Sequence, residues 1–195
     1  MGHGTASSDQ LVERLRGAGV TDLVDIRSVP ASRHHPQFGR HEMAAWLPPA
    51  GIGYGWEPAL GGFRTGVPSS ANVALRHPAF RAYADYMETA AFTAALRQLL
   101  QQARERRVAV MCAETLWWRC HRRLVADAAV LLGGAAVQHL MPGGGRPEHG
   151  VTAGVRVGPH GHLVYDGAPA ARALPLEGGV DGSAEDGGQG GAVGG

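Results

Sequence analysis

Between Cys112 and Arg123 this chain places two thiols, a carboxylate, an imidazole and three guanidiniums: Cys112, Glu114, Arg119, Cys120, His121, Arg122 and Arg123. The two cysteines are the only ones in 195 residues. A thiol near a helix start, with Arg or His beside it, has its thiolate favoured, so Cys112 reads as a nucleophile. Glu114 and His121 are the acid–base groups next to it, and Asp25 is a further carboxylate for the same work. Against this stands ordinary packing, because cysteine is among the most buried residue types. Cys112, Cys120 and His121 read alternatively as ligands of a transition metal ion, with Glu114 or His3 as a fourth. Their spacing is not the Cys-x2-4-Cys of standard zinc sites. Cys120 and His121, as helix neighbours, would point about 100° apart, so both ligate only if the helix starts after them. A dithiol redox pair is a third reading, although the spacing is longer than Cys-x-x-Cys.

Arg27, Arg33 and Arg122 are the cations suited to an anion. Guanidinium forks and helix-start N–H groups fit phosphate or carboxylate. The competing expectation pairs them with Asp25, Glu114 and Asp127. Trp118 can stack on a base or ring, although Trp117 and Trp118 also suit the edge of a core. His34, His35 and His41 read as solvated loop residues, with metal ligation by His34-His35 as the alternative. Tyr83, Tyr86 and Met87 read as one packed helix face. The glycines of Leu60-Gly-Gly-Phe63 allow close backbone approach or a plain turn.

These side chains need strand ends to hold them. Asp22 to Arg27 is a short apolar run, as in a buried parallel strand; Gly51 to Trp56 and Val108 to Met111 are two more. Helical patterns cover Ser8 to Gly19, His41 to Ala50, Pro78 to Arg107 with a break near Thr89, and Arg119 to Leu132. Ala135 to Leu140 reads as a further strand, and Val155 to Tyr165 as a β-hairpin or a mobile extension. Alternating strands and helices imply parallel pairing with right-handed crossovers. In such a sheet the strand ends open on one edge, which brings Asp25 and Arg27 toward Cys112 and Glu114. Residues 1–142 form the α/β domain, 143–166 the extension, and 167–195 a glycine-rich acidic tail read as disordered.

The formal net charge of +1 is divided. Residues 1–165 hold 17 Arg and 12 acids, a net of +5, and the remainder holds 1 Arg and 5 acids, a net of −4. That excess is modest for a nucleic-acid-binding module. No apolar stretch is long enough for a membrane span, and no secretory signal opens the chain. With two cysteines, this points to the cytoplasm.

The stretches Gly2-His3-Gly4-Thr5, Leu23-Val-Asp25-Ile-Arg27, Pro30-Ala-Ser32-Arg33, Pro36-Gln-Phe38, Gly51-Ile-Gly-Tyr54 and Leu60-Gly-Gly62 carry a resemblance. So do Phe80-Arg-Ala-Tyr83-Ala-Asp-Tyr86-Met87, Met111-Cys-Ala-Glu114 and Cys120-His-Arg122. In this order, over roughly residues 2 to 140, the chain resembles the domain of unknown function 488 family. The resemblance implies a three-layer, Rossmann-like α/β domain with a mostly parallel sheet, here lacking the apolar strand that usually precedes the Gly-His motif. It favours a functional role for Arg27, Arg33 and Arg122; Ser32, Tyr54 and Trp118 are further candidates for substrate binding. It brings no activity with it. A weaker similarity to rhodanese-like domains rests on Asp-Ile-Arg and a cysteine after a strand.

No P-loop, no Gly-x-Gly-x-x-Gly after a strand and no His-Glu-x-x-His occurs, so no nucleotide cofactor motif is present. The leading expectation is an enzyme acting on a phosphorylated, nucleotide-like or nucleic-acid substrate through Cys112, Glu114 and the arginines. A metal-binding protein or metalloenzyme built on Cys112, Cys120 and His121 is the alternative. A non-catalytic nucleic-acid-binding module is the third. The partners expected are an anionic small molecule or nucleic acid, and no membrane.

Overall fold

The computed structural model describes residues 1–31 and 33–168. Ser32 and the expected tail from residue 169 onward lie outside the described residues. Three parallel strands, β1 (Asp22–Asp25), β2 (Gly53–Trp56) and β3 (Val108–Met111), form a sheet in the order β2-β1-β3. Asp25 stands beside Trp56 on one side and Met111 on the other.

Local chemistry sets the helix limits. Helix α1 (Ser8–Gly17) starts at a capping box, where Ser7 accepts from the Gln10 backbone and Gln10 reaches back to Ser7. Helix α2 (Arg40–Trp46) is shorter than the expected span and passes into a 3-10 turn, Pro48–Ala50. The long helical pattern is two helices, α3 (Pro78–Tyr86) and α4 (Ala90–Glu105). Thr89 separates them because its hydroxyl accepts the Phe92 N–H at 3.3 Å and caps α4. Helix α5 (Arg122–Leu131) begins later than the apolar pattern implied. A 3-10 turn, Trp117–Arg119, precedes it, and Cys120 is extended. Strands β4 (Val155–Val157) and β5 (Leu163–Tyr165) form the hairpin.

The expected strand at Ala135 to Leu140 is corrected to an irregular segment with a single bridge, Gln138 to Glu148. Its backbone pairs with the loop that follows it rather than with the sheet: His139 N–H reaches Pro147 O, and His149 N–H reaches Val137 O. At the free edge of β3, Gly2 makes a parallel bridge to Cys112.

Period-two alternation divides the sheet between two cores. Leu23, Ala109 and Met111 pack with Leu11 and Leu15 of α1 and Met43 of α2. Val24, Ile26 and Cys112 pack with Tyr83, Phe92, Leu96, Leu124 and Val125 from α3, α4 and α5. Helices thus cover both faces, giving a mixed α/β architecture of three layers.

One polar network holds the hairpin to this body. The fully buried Asp127 carboxylate of α5 takes hydrogen bonds from Tyr165 Oη (3.0 Å), Thr152 N–H (2.8 Å) and His149 Nε2 (2.9 Å). His149 Nδ1 lies 3.0 Å from His139 Nε2, and the His139 ring stacks on Trp117 at 3.9 Å. Removing the carboxylate strands several buried donors at once. Asp127→Ala should cost about 3–5 kcal/mol in urea unfolding, and Tyr165→Phe about 1–2 kcal/mol. Equal losses in the two variants would show that Asp127 is not the shared acceptor.

Candidate functional site

Cys112 is the first residue past β3, on the face toward α5. The chain leaves the sheet through the exposed Ala113 and Glu114, turns at Trp117–Arg119, and returns at Cys120. That return sets Cys112 Sγ 2.7 Å from Cys120 Sγ. Both are free thiols, 5% and 3% exposed. The Arg122 backbone N–H points at Cys120 Sγ from 3.5 Å, as does His121 Nδ1. The Arg122 guanidinium is 3% exposed and donates through Nη1 to Glu114 O at 2.8 Å. Its Nε and Nη2 have no hydrogen-bond partner among the described residues. Burying a guanidinium with free N–H groups is costly unless an anion lies near.

The two sulfurs share a proton unequally. The Cys112 thiol is lowered to about 6 by the hydrogen bond from Cys120, against the effect of burial; Arg122 and the Glu114 backbone N–H help to lower it. Cys120 is pushed up far beyond the ordinary thiol range by the same sulfur–sulfur contact and by burial. His121 is lowered to about 4, first by burial and then by Arg122, so it is neutral near pH 7. A loop closes over this imidazole. A Cβ at Gly62 would stand 2.5 Å from His121 Nδ1, so glycine is required for the approach.

The other face of the same edge holds a separate cluster. Asp25, fully buried, receives Arg27 Nε at 2.9 Å and Nη2 at 2.5 Å. Tyr54 Oη donates to the same carboxylate at 2.9 Å. Arg27 Nη2 also donates to Phe38 O at 2.7 Å, and its Nη1 lies 3.4 Å from His3 Nε2. His3 stacks on Phe38 at 4.3 Å and is lowered to about 4, chiefly by burial. Tyr54 is raised above its ordinary value by burial and by Asp25. The Arg27 fork is therefore spent on Asp25.

The structure brings Cys112, Cys120, His121 and Arg122 together. It places Asp25, Arg27 and Tyr54 across the sheet from them. Arg33 is exposed in its loop, and Ser32 is outside the described residues. Glu114 meets Arg122 through its backbone oxygen, while its side chain is exposed. Trp118 is 44% exposed and Trp117 is stacked inward. Sequence reading missed the His139–His149–Asp127 chain. Its members are far apart in sequence and match no motif.

Cys112, Cys120 and His121 are also the residues able to hold a metal. Their ligand atoms lie within 4.8 Å of one another. Helix α5 starts after Cys120 and His121, which removes the geometric objection to their ligating together. The buried Arg122 charge beside them works against a cation and in favour of a thiolate.

A protein-family model described as domain of unknown function DUF488 matches residues 7–129. The match runs from α1 into α5 and includes both cysteines. No curated protein and no solved structure matches the chain. No helix among the described residues is long and apolar enough to cross a membrane.

The unequal thiols give a pH signature. A thiol lowered to about 6 is ionised above that pH and loses its charge as pH falls through it. Iodoacetamide labelling of Cys112, followed by peptide mass spectrometry, should reach half its plateau rate near pH 6. In Cys120→Ala the midpoint should rise, because the largest lowering contribution is gone. A midpoint in the ordinary thiol range in both proteins would contradict the hydrogen-bonded arrangement.

Proposed function

We propose, from the premise that this chain belongs to the DUF488 family, that it is a cysteine-dependent enzyme acting on a small phosphorylated or nucleotide-like anion. Cys112 is the nucleophile, Cys120 donates a hydrogen bond to its sulfur, and Arg122 supplies the charge that attracts the anion. Glu114, exposed where the loop leaves the sheet, is the acid or base at the mouth.

The observation that carries this reading is a close sulfur pair beside a buried guanidinium with two nitrogens that have no hydrogen-bond partner among the described residues. Arg27 is left out of substrate contact because Asp25 already neutralises it. The reading therefore rests on Arg122 and the first N–H groups of α5.

Two small alkylating reagents of different charge test this directly. Iodoacetate is an anion and iodoacetamide is neutral. At pH 7 Cys112 should favour iodoacetate more than free cysteine does, and inorganic phosphate should slow that reaction. Arg122→Met should lower the iodoacetate-to-iodoacetamide rate ratio about tenfold. A ratio equal to that of free cysteine, with no protection by phosphate, would remove Arg122 as an anion holder.

The compact Cys112, Cys120 and His121 cluster also favours a second reading, a transition-metal site. Elemental analysis of the purified protein should then give about one zinc or other transition metal ion per chain. A content near zero that added metal does not raise would eliminate it.

A further inference from the structure

We propose that Cys112 and Cys120 form a peroxide-responsive dithiol, in which Cys112 reacts with hydrogen peroxide or a small hydroperoxide and Cys120 resolves the product as an intramolecular disulfide. The proposal rests on Cys112 being the reactive thiol of the site. It adds an oxidant class and gives Cys120 a covalent role.

Proximity is the main support. The two sulfurs already stand 2.7 Å apart without a bond between them. A disulfide needs about 2.05 Å, so closure asks for a shift of less than an ångström. The sulfurs come from the end of a strand and the approach to a helix, and the chain between them is a loop with exposed residues at Ala113, Glu114, Trp118 and Arg119. That loop can absorb the shift without moving the sheet.

Access is the second support. Both sulfurs are nearly covered, yet Ala113 and Glu114, the next residues after Cys112, are exposed. A diatomic-core oxidant can reach a sulfur at this depth more readily than a bulky disulfide can. Arg122 is the group to hold the charge on the leaving oxygen, since its Nε and Nη2 are buried without a hydrogen-bond partner among the described residues.

The chemistry balances in two steps. The Cys112 sulfur attacks the terminal peroxide oxygen, the O–O bond breaks, and the other oxygen leaves after taking a proton, as water from hydrogen peroxide or as an alcohol from an alkyl hydroperoxide. Cys112 is now a sulfenic acid, oxidised by two electrons, and the peroxide is reduced. The Cys120 sulfur then attacks Cys112 Sγ. The S–S bond forms, the S–O bond breaks, and the hydroxyl leaves as water with the Cys120 proton.

The test is intact-mass spectrometry of the full, reduced chain after hydrogen peroxide, without reductant. The wild type should lose two hydrogens and retain no oxygen, and dithiothreitol should restore both thiols. Cys120→Ala should instead hold one oxygen on Cys112, which dimedone traps. In Cys112→Ser, Cys120 should stay unoxidised under the same exposure. Arg122→Met should slow the wild-type reaction about tenfold, with thermal melting confirming that each variant is folded.

Wild-type protein that keeps both thiols free in excess peroxide would overturn the proposal. So would oxidation of wild-type Cys112 to the sulfinic acid without a disulfide, or equal oxidation of Cys120 in Cys112→Ser. Iodoacetamide labelling of the same preparation separates the two readings. Ready labelling of Cys112 without peroxide-driven disulfide defeats the redox proposal alone, whereas no labelling at Cys112 defeats the nucleophile as well.

Discussion

Met111 and Cys112 point to opposite faces of a three-strand sheet, and this alternation governs which charged groups meet. Met111 joins the core under α1 and α2, and Cys112 joins the one under α3, α4 and α5. The same rule on β1 sends Leu23 to the first core and Val24 and Ile26 to the second. Asp25 and Arg27 follow Leu23. The sheet edge is common to Arg27 and Cys112, but their side chains open on different sides of it. A one-residue slip in β3 would exchange the surroundings of Met111 and Cys112 and leave Arg27 where it is.

Burial then gives the two arginines different fates. Arg27 and Arg122 are almost equally hidden, at 6% and 3% exposed. Arg27 meets a carboxylate through two nitrogens, so its charge is cancelled where it is made. Among the described residues, Arg122 has one carbonyl partner and two nitrogens without a hydrogen bond. In a medium of low dielectric an uncancelled cation acts strongly on whatever ionisable group lies nearest. Cys112 is one such group: its thiol is lowered first by the hydrogen bond from Cys120, and Arg122 adds to that lowering. A residue count cannot separate these cases, because both are an Arg close to a strand end.

The strands β1, β2 and β3 were legible as apolar runs, and Thr89 was legible as a break because a capping residue announces itself locally. Cys112 at the end of β3 could likewise be placed from the sequence. The start of α5 could not, because Cys120 and His121 continue a helix-compatible pattern. What ends it is the extended Cys120 backbone, fixed by tertiary contacts. Ala135 to Leu140 failed for a related reason: its apolar residues suit a strand, yet its backbone partners lie in the following loop. The face on which each side chain lies was readable in principle, since it needs only register and period. Convergence at one edge was the coarser inference.

The sulfur pair is held in place by groups that do no chemistry. The loop joining Cys112 to Cys120 is tied at its start by His3 N–H to Cys112 O and Gly4 N–H to Ala113 O. It is tied at its end by the first turn of α5. Between them, Trp117 is gripped by the His139 ring, nearly parallel at 3° and 3.9 Å away. His139 is held through His149 to Asp127, which sits on α5 itself. One end of this brace is thus the turn that precedes α5, and the other is α5 itself, the helix that carries Arg122. Relaxing it would free the loop and let the two sulfurs drift apart while leaving the sheet intact. The spacing of the two sulfurs therefore depends on a buried carboxylate on the far side of Trp117, because that carboxylate braces the loop that brings Cys120 to Cys112.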